Sequence, residues 1–360
     1  MLKLVILIIY FAVLIGIGLY CRKHATDVNG FVLGGRSVGP WLTAFAYGTS
    51  YFSAVVFVGY AGQFGWKYGI AATWAGIGNA IIGSLLAWVV LGRRTRIMSQ
   101  HLDSATMPQY FGKRFGSNPL KIGASVIIFI FLIPYTASLY NGLSRLFGMA
   151  FNIDYSVCII IMATLTAIYV MAGGYMATAI NDFIQGIIML FGIVAVIAAV
   201  IHSKGGFMSA LQGLANVSDP AVSDTPGIFA SFFGPDPFNL LCVVILTSLG
   251  TWGLPQMVQK FYAIDNEASI QKGTVISTIF ALIVSGGCYF LGGFGRLFSD
   301  QIDVKANGFD SIIPTMLSNL SPALIALVVI LVLSASMSTL SSLVIASSST
   351  LTIDLSLIHI

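Results

Sequence analysis

Nine stretches of predominantly apolar residues, each about 20 residues or longer, follow one another along this chain with polar connections between them. They fall roughly at 2–20, 40–64, 69–92, 121–148, 155–173, 178–202, 237–258, 273–293 and 321–346. A helix rises about 1.5 Å per residue, so each stretch can cross a hydrocarbon layer of about 30 Å. Barrel strands would be about half as long and would alternate apolar with polar residues. Hydrophobic residues make up 57% of the 360 residues and charged residues only 8%, more apolar surface than one soluble core could hide. The expected fold is therefore an all-α polytopic membrane protein, with the lipid bilayer as its solvent. The opening stretch lacks a basic leader, and Cys21-Arg-Lys-His24 follows it in place of a small-residue cleavage site, so it reads as a retained helix.

The net charge of +4 belongs to membrane topology and does not argue for nucleic acid. With the N-terminus outside, eleven of the 17 Lys and Arg fall in inner connections and six in outer ones. That bias, with Asp300, Asp303 and Asp310 on the outer side, sets the expected orientation in a plasma (cytoplasmic) membrane. The four cysteines form no CxxC pair, and the histidines lie in or beside connections or in the tail. No transition-metal set, cofactor motif or nucleophile–base set emerges, so an enzyme is not expected.

Two stretches look interrupted. The second holds Gly48-Thr-Ser-Tyr-Phe-Ser53, a polar patch between apolar arms. The seventh holds Thr247-Ser-Leu-Gly-Thr-Trp-Gly-Leu-Pro255, where two glycines and a proline weaken a helix. Non-helical backbone at this depth survives where it is buried in protein or lines a cavity. Paired breaks at corresponding places in two halves point to a transporter's binding site, while ordinary Gly/Pro kinks are the plainer account.

The last stretch carries a dense row of hydroxyls. At about 3.6 residues per turn, Ala335, Ser338, Thr339 and Ser342 share one helix face, with Ser341 beside them. Hydroxyls in hydrocarbon need partners, and hard cations take oxygen ligands, so the face suits either close helix packing or an ion site.

Four further segments carry a resemblance. They are Phe31-Val-Leu-Gly-Gly-Arg-Ser-Val-Gly39, Ala105-Thr-Met-Pro-Gln-Tyr-Phe-Gly-Lys-Arg-Phe-Gly116, Gly173-Gly-Tyr-Met-Ala-Thr-Ala-Ile-Asn-Asp-Phe-Ile-Gln-Gly186 and Ala335-Ser-Met-Ser-Thr-Leu-Ser-Ser342. In this order, over nearly the whole chain, they resemble the sodium:solute symporter family, and in particular its proline- and pantothenate-type members. The resemblance implies a leucine-transporter-type fold of two inverted five-helix repeats behind one extra N-terminal helix. On that plan residues 1–354 form the symporter domain: 2–20 the extra helix, 40–202 the first repeat and 237–346 a partial second repeat. Beyond Asp354 the family pattern stops, so 355–360 is expected to be a non-native tail and the second repeat incomplete.

The resemblance also implies sites. Sodium, the coupling ion, would be held by the carbonyls of Thr49, Phe52 and Ala335 and the hydroxyls of Ser338 and Thr339. A second sodium would take Asp182, Ser341 and Ser342, or Asp182 would merely cap or pair near the end of its span. A small organic solute would meet Ser53, Ala54, Tyr135, Thr251 and Trp252, although Tyr135 and Trp252 equally suit core packing or an interfacial belt. Tyr51 stands where the proline branch carries an aspartate, which leaves the solute open among carboxylates, amino acids and pantothenate-like molecules. The expected function is sodium-coupled import by alternating access. The rivals are the transmembrane sensor region of a signalling protein built on the same fold, and a channel, which would need a continuous polar pore.

Overall fold

The computed structural model describes residues 2–151, 154–318 and 320–356, so all but residues 355 and 356 of the expected 355–360 tail lie outside the described residues. The leading helix α1 (Leu2–Cys21) is followed by α2 (Pro40–Tyr51), which begins with proline in the first turn, where no N–H is needed. It stops at Phe52, whose φ −102, ψ 87 is not helical, and resumes as α3 (55–68). After α4 (73–101) and α5 (Asn118–Phe151) comes α6 (Tyr155–Ser203), 49 residues long. A straight helix of that length would run about 73 Å, over twice the hydrocarbon thickness. Gly174 (φ 56, ψ −147) interrupts it in a conformation that a side chain would strain, leaving two pieces of membrane-spanning length.

The seventh span is likewise two helices, α7 (Pro237–Leu249) and α8 (Pro255–Ala263), with non-helical backbone between them. Then come α9 (Glu267–Gly293) and α10 (Pro322–Ser349), the last running on as a turn of wider helix through Leu355. Nine spans are therefore present among the described residues, at the places the apolar stretches predict.

α10 lies inside the bundle, with 72% of its most apolar window buried, whereas α5 lies outside at 17%. α6 packs against α10 and α1, and α9 against α2, α3 and α4. Gly76 permits α4 to approach α9 closely, since a Cβ there would stand 2.6 Å from the Cα of Gly286. Ile8, Phe191 and Phe238 are exposed and suit acyl chains.

Two backbone bonds reveal how the broken spans are related. The amide of Val38, just before α2, donates to Ala263 O (3.2 Å), and the amide of Asp265, just after α8, donates to Val38 O (3.0 Å). Halfway along, the Tyr51 hydroxyl lies 2.8 Å from Thr247 O. The start of one broken span therefore sits beside the end of the other, and the two run in opposite directions with their breaks at one level. Arg36 fastens the same end of the bundle by donating to Ser104 O (2.8 Å), Ser99 O and Tyr262 O (both 3.3 Å).

Lys260 departs from the sequence reading. It is 1% exposed inside α8 and is not a cation of an inner connection, which lowers the inner count from eleven to ten.

Candidate functional site

A continuous helix would use the Thr49 carbonyl to accept from the amide of residue 53. Because α2 ends at Tyr51, that carbonyl is free to face α10. Ser338 Oγ lies 3.1 Å from it and Thr339 Oγ1 3.3 Å. Both hydroxyls also stand 3.1 Å from Ala335 O one turn earlier in α10. Thr49, Ser338 and Thr339 are fully buried and Ala335 is 1% exposed. Phe52 sits at the break, where its ψ of 87 turns its carbonyl out of the helical ladder. Four of the five residues expected to hold sodium thus converge within hydrogen-bond distance, and the fifth adjoins them. Each hydroxyl now donates to a carbonyl, but a hydroxyl also carries two lone pairs and rotates freely. Turned the other way, two hydroxyls and two carbonyls form a neutral oxygen set suited to a small hard cation.

Two of the three residues of the expected second site, Asp182 and Ser342, meet a residue that sequence reasoning missed there. Lys260 Nζ donates to Ser342 Oγ at 2.9 Å and lies 3.7 Å from Asp182 Oδ2. Asp182 is fully buried on α6, and neither carboxylate oxygen has a hydrogen-bond partner among the described residues. Ser342 Oγ is also 2.8 Å from Ser50 Oγ, next to Thr49, while Ser341 Oγ donates to Ser338 O at 2.9 Å. The Lys260 ammonium lies over the Tyr175 ring, with Nζ 5.0 Å from the ring centroid.

A cavity of about 540 Å³ opens beside the two breaks. Ser53, Tyr135 and Thr251 line it, as expected, together with Tyr51, Asn79, Thr247 and Tyr289. Ala54 and Trp252 do not. Ala54 packs fully buried against α5 near Gly142, and the Trp252 indole donates to Ile82 O at 3.0 Å. Among the described residues, no charged side chain lines this cavity.

Asn79 organises one wall. Its Oδ1 lies 3.1 Å from both Thr247 Oγ1 and Ser248 Oγ and 3.2 Å from the Tyr51 hydroxyl, while its Nδ2 donates to Ser285 Oγ at 3.1 Å. A lone amide within an apolar span was the signal that could have singled it out. A larger cavity, about 1070 Å³, lies at the end of the bundle away from Arg36, between Trp66, Asp219, Arg296 and Phe309. It shares no residue with the helix breaks, which only the smaller of the two cavities adjoins.

Comparison with known proteins agrees with this architecture. The sodium:solute symporter family matches residues 31–358. Sodium/proline symporters of Staphylococcus aureus strains JH9 and JH1 are each 30% identical over 365 residues, covering 97% of this chain and 67% of theirs. A solved substrate-bound, outward-open Na+-coupled sialic acid symporter superposes with a TM-score of 0.81 at 17% identity, covering 99% of this chain and 74% of that one. The fold is accordingly of the leucine-transporter type. A match across nearly the whole chain, joined to paired broken helices, shows that this multi-pass membrane protein belongs to the sodium:solute symporter family.

Proposed function

We propose that the chain imports a small organic solute by alternating access, driven by one sodium ion held between Thr49, Phe52, Ala335, Ser338 and Thr339. The observation that carries this reading is the pair of α10 hydroxyls meeting the carbonyl freed by the break after α2. Family membership supports sodium-coupled solute import and places the protein among transporters, not enzymes. Entry of one charge across 100 mV supplies about 2.3 kcal/mol.

The solute site is the cavity of about 540 Å³, and its lining favours a small molecule with a polar or zwitterionic head and an apolar body. A carboxylate there would be met by the sodium charge and by the N-terminal end of α8, which begins at the cavity wall with Leu254 and Pro255. The membrane is the plasma membrane with the N-terminus outside, supported by ten inner against six outer Lys and Arg. In that orientation Arg36 and the Val38 bridge close the inner end, while Tyr60 and Phe64 of the outer arm edge the cavity.

The test is uptake in proteoliposomes carrying an inward sodium gradient, with labelled proline, other amino acids and monocarboxylates offered in turn. At least one should accumulate, and replacing sodium by choline should abolish accumulation. Equal accumulation in choline would overturn the proposal.

A further inference from the structure

Asp182 and Lys260 form a buried ion pair that reaches from the first half of the molecule to the second. Asp182 belongs to α6 and Lys260 to the short helix α8 beyond the second break. Neither is solvated: their side chains are 0% and 1% exposed. A carboxylate in such a place needs a cation, because an unpaired charge inside a membrane protein is strongly unfavourable. Beside the pair stand the neutral oxygens of Ser342 and of the Tyr175 hydroxyl, the last without a hydrogen-bond partner among the described residues.

These groups are the oxygens that a second sodium would use, and the Lys260 ammonium already stands among them, 2.9 Å from Ser342 Oγ and 3.7 Å from Asp182 Oδ2. A sodium ion bridging those same two oxygens would have to take the space of Nζ. If it sat alongside instead, two positive charges would share one carboxylate in a low-dielectric interior. The residues present therefore do not fit a second sodium. We infer that Lys260 is a tethered cation filling the second ion position, so that the protein binds one sodium ion per chain.

The tether also reaches the first site. Ser342 passes the contact on to Ser50, whose neighbour Thr49 supplies the carbonyl facing Ser338 and Thr339. Lys260 thereby acts as a positioning residue that holds α8, α10 and α2 in register. It sets ion stoichiometry without touching the transported sodium.

This inference rests on the sodium site proposed above, and the experiment separates the two. Radioactive sodium binding to the purified full chain is measured by equilibrium dialysis, with no solute added. Wild type should bind one ion per chain with a Hill coefficient of 1. Lys260→Met, which removes the cation and keeps the stem, should bind two ions with a Hill coefficient above 1, while Lys260→Arg should stay at one. The double variant Asp182→Asn/Lys260→Met removes both charges together and should also bind one ion. Its neutral pair keeps the test decisive if Lys260→Met alone fails to fold. Two ions bound to wild type, or one bound to a folded Lys260→Met, would overturn the tethered cation. Loss of the remaining ion in the double variant would overturn it as well, because Asp182 would then be a ligand of the first site. No sodium bound to wild type would instead sink the sodium site itself, and this inference with it.

Discussion

Thr339 Oγ1 lies 3.3 Å from the carbonyl oxygen of Thr49, a residue 290 positions earlier in the chain. The contact exists because α2 stops short of Phe52 and leaves a carbonyl with no helical donor, at the level where α10 presents hydroxyls. Local sequence creates each half of it, and packing brings the halves together.

Ser338→Ala or Thr339→Ala should each raise the sodium concentration for half-maximal binding about tenfold, the ~1.4 kcal/mol expected when one ligand of a small site is lost. The measurement is a sodium titration of each variant. Unchanged half-saturation in both would remove these hydroxyls from the ion site.

Asn79→Ala should destabilise the bundle by about 1–3 kcal/mol, since Tyr51, Ser248 and Ser285 would lose a buried partner at once. Scanning fluorimetry in detergent should show a lower melting temperature. Solute binding should weaken as well, because Tyr51 and Thr247 shape the cavity wall. A melting curve that overlays wild type would mean the amide is dispensable.

Thr251→Trp adds an indole to a wall of the cavity. Uptake should fall at least tenfold while sodium binding stays within about twofold of wild type, since a residue in the wrong shape costs on the order of 1–3 kcal/mol in such a pocket. Parallel loss of sodium binding would show that the cavity and the ion site are not separable.

Asp236 caps α7: its Oδ1 accepts from the Asn239 amide at 3.1 Å and its Oδ2 from the Asn239 side chain at 2.5 Å. These bonds to the charged form hold its carboxyl below the ordinary value of 3.8. A depressed folded-state value means that the stabilisation is complete above that ordinary value and is lost as pH falls through the lower, folded one. Hydrogen exchange at the amides of residues 238–240, corrected for intrinsic rates, should therefore accelerate in wild type between pH 5 and pH 2. Asp236→Asn should be indifferent to that change, because asparagine caps without titrating. The same acceleration in the variant would assign the effect to another group.

The spans were legible in the sequence because insertion depends on local, additive hydrophobicity over about 20 residues. The two breaks were legible for a related reason: glycine, proline and clustered hydroxyls disfavour helix wherever they occur, so Gly48–Ser53 and Thr247–Pro255 announced themselves. The face of Ala335, Ser338 and Thr339 followed from helical period alone.

The place of Lys260 and the cavity beside the two breaks were decided only by tertiary structure. Lys260 sits two residues beyond the stretch 237–258, in a helix of nine residues that carries the seventh span on, and packing of that helix against α2, α4 and α10 makes it an interior charge. Asn79 draws partners from three other spans, at separations of 28, 168, 169 and 206 residues, a pattern with no period to detect. Ala54 and Trp252 flank cavity residues in the chain yet turn away from the cavity, since neighbours at a helix break no longer share a predictable face. Hydrophobicity and helix propensity act over neighbouring residues and are written in the sequence. Which buried charge meets which oxygen depends on how the helices pack, and that is decided by the whole bundle at once.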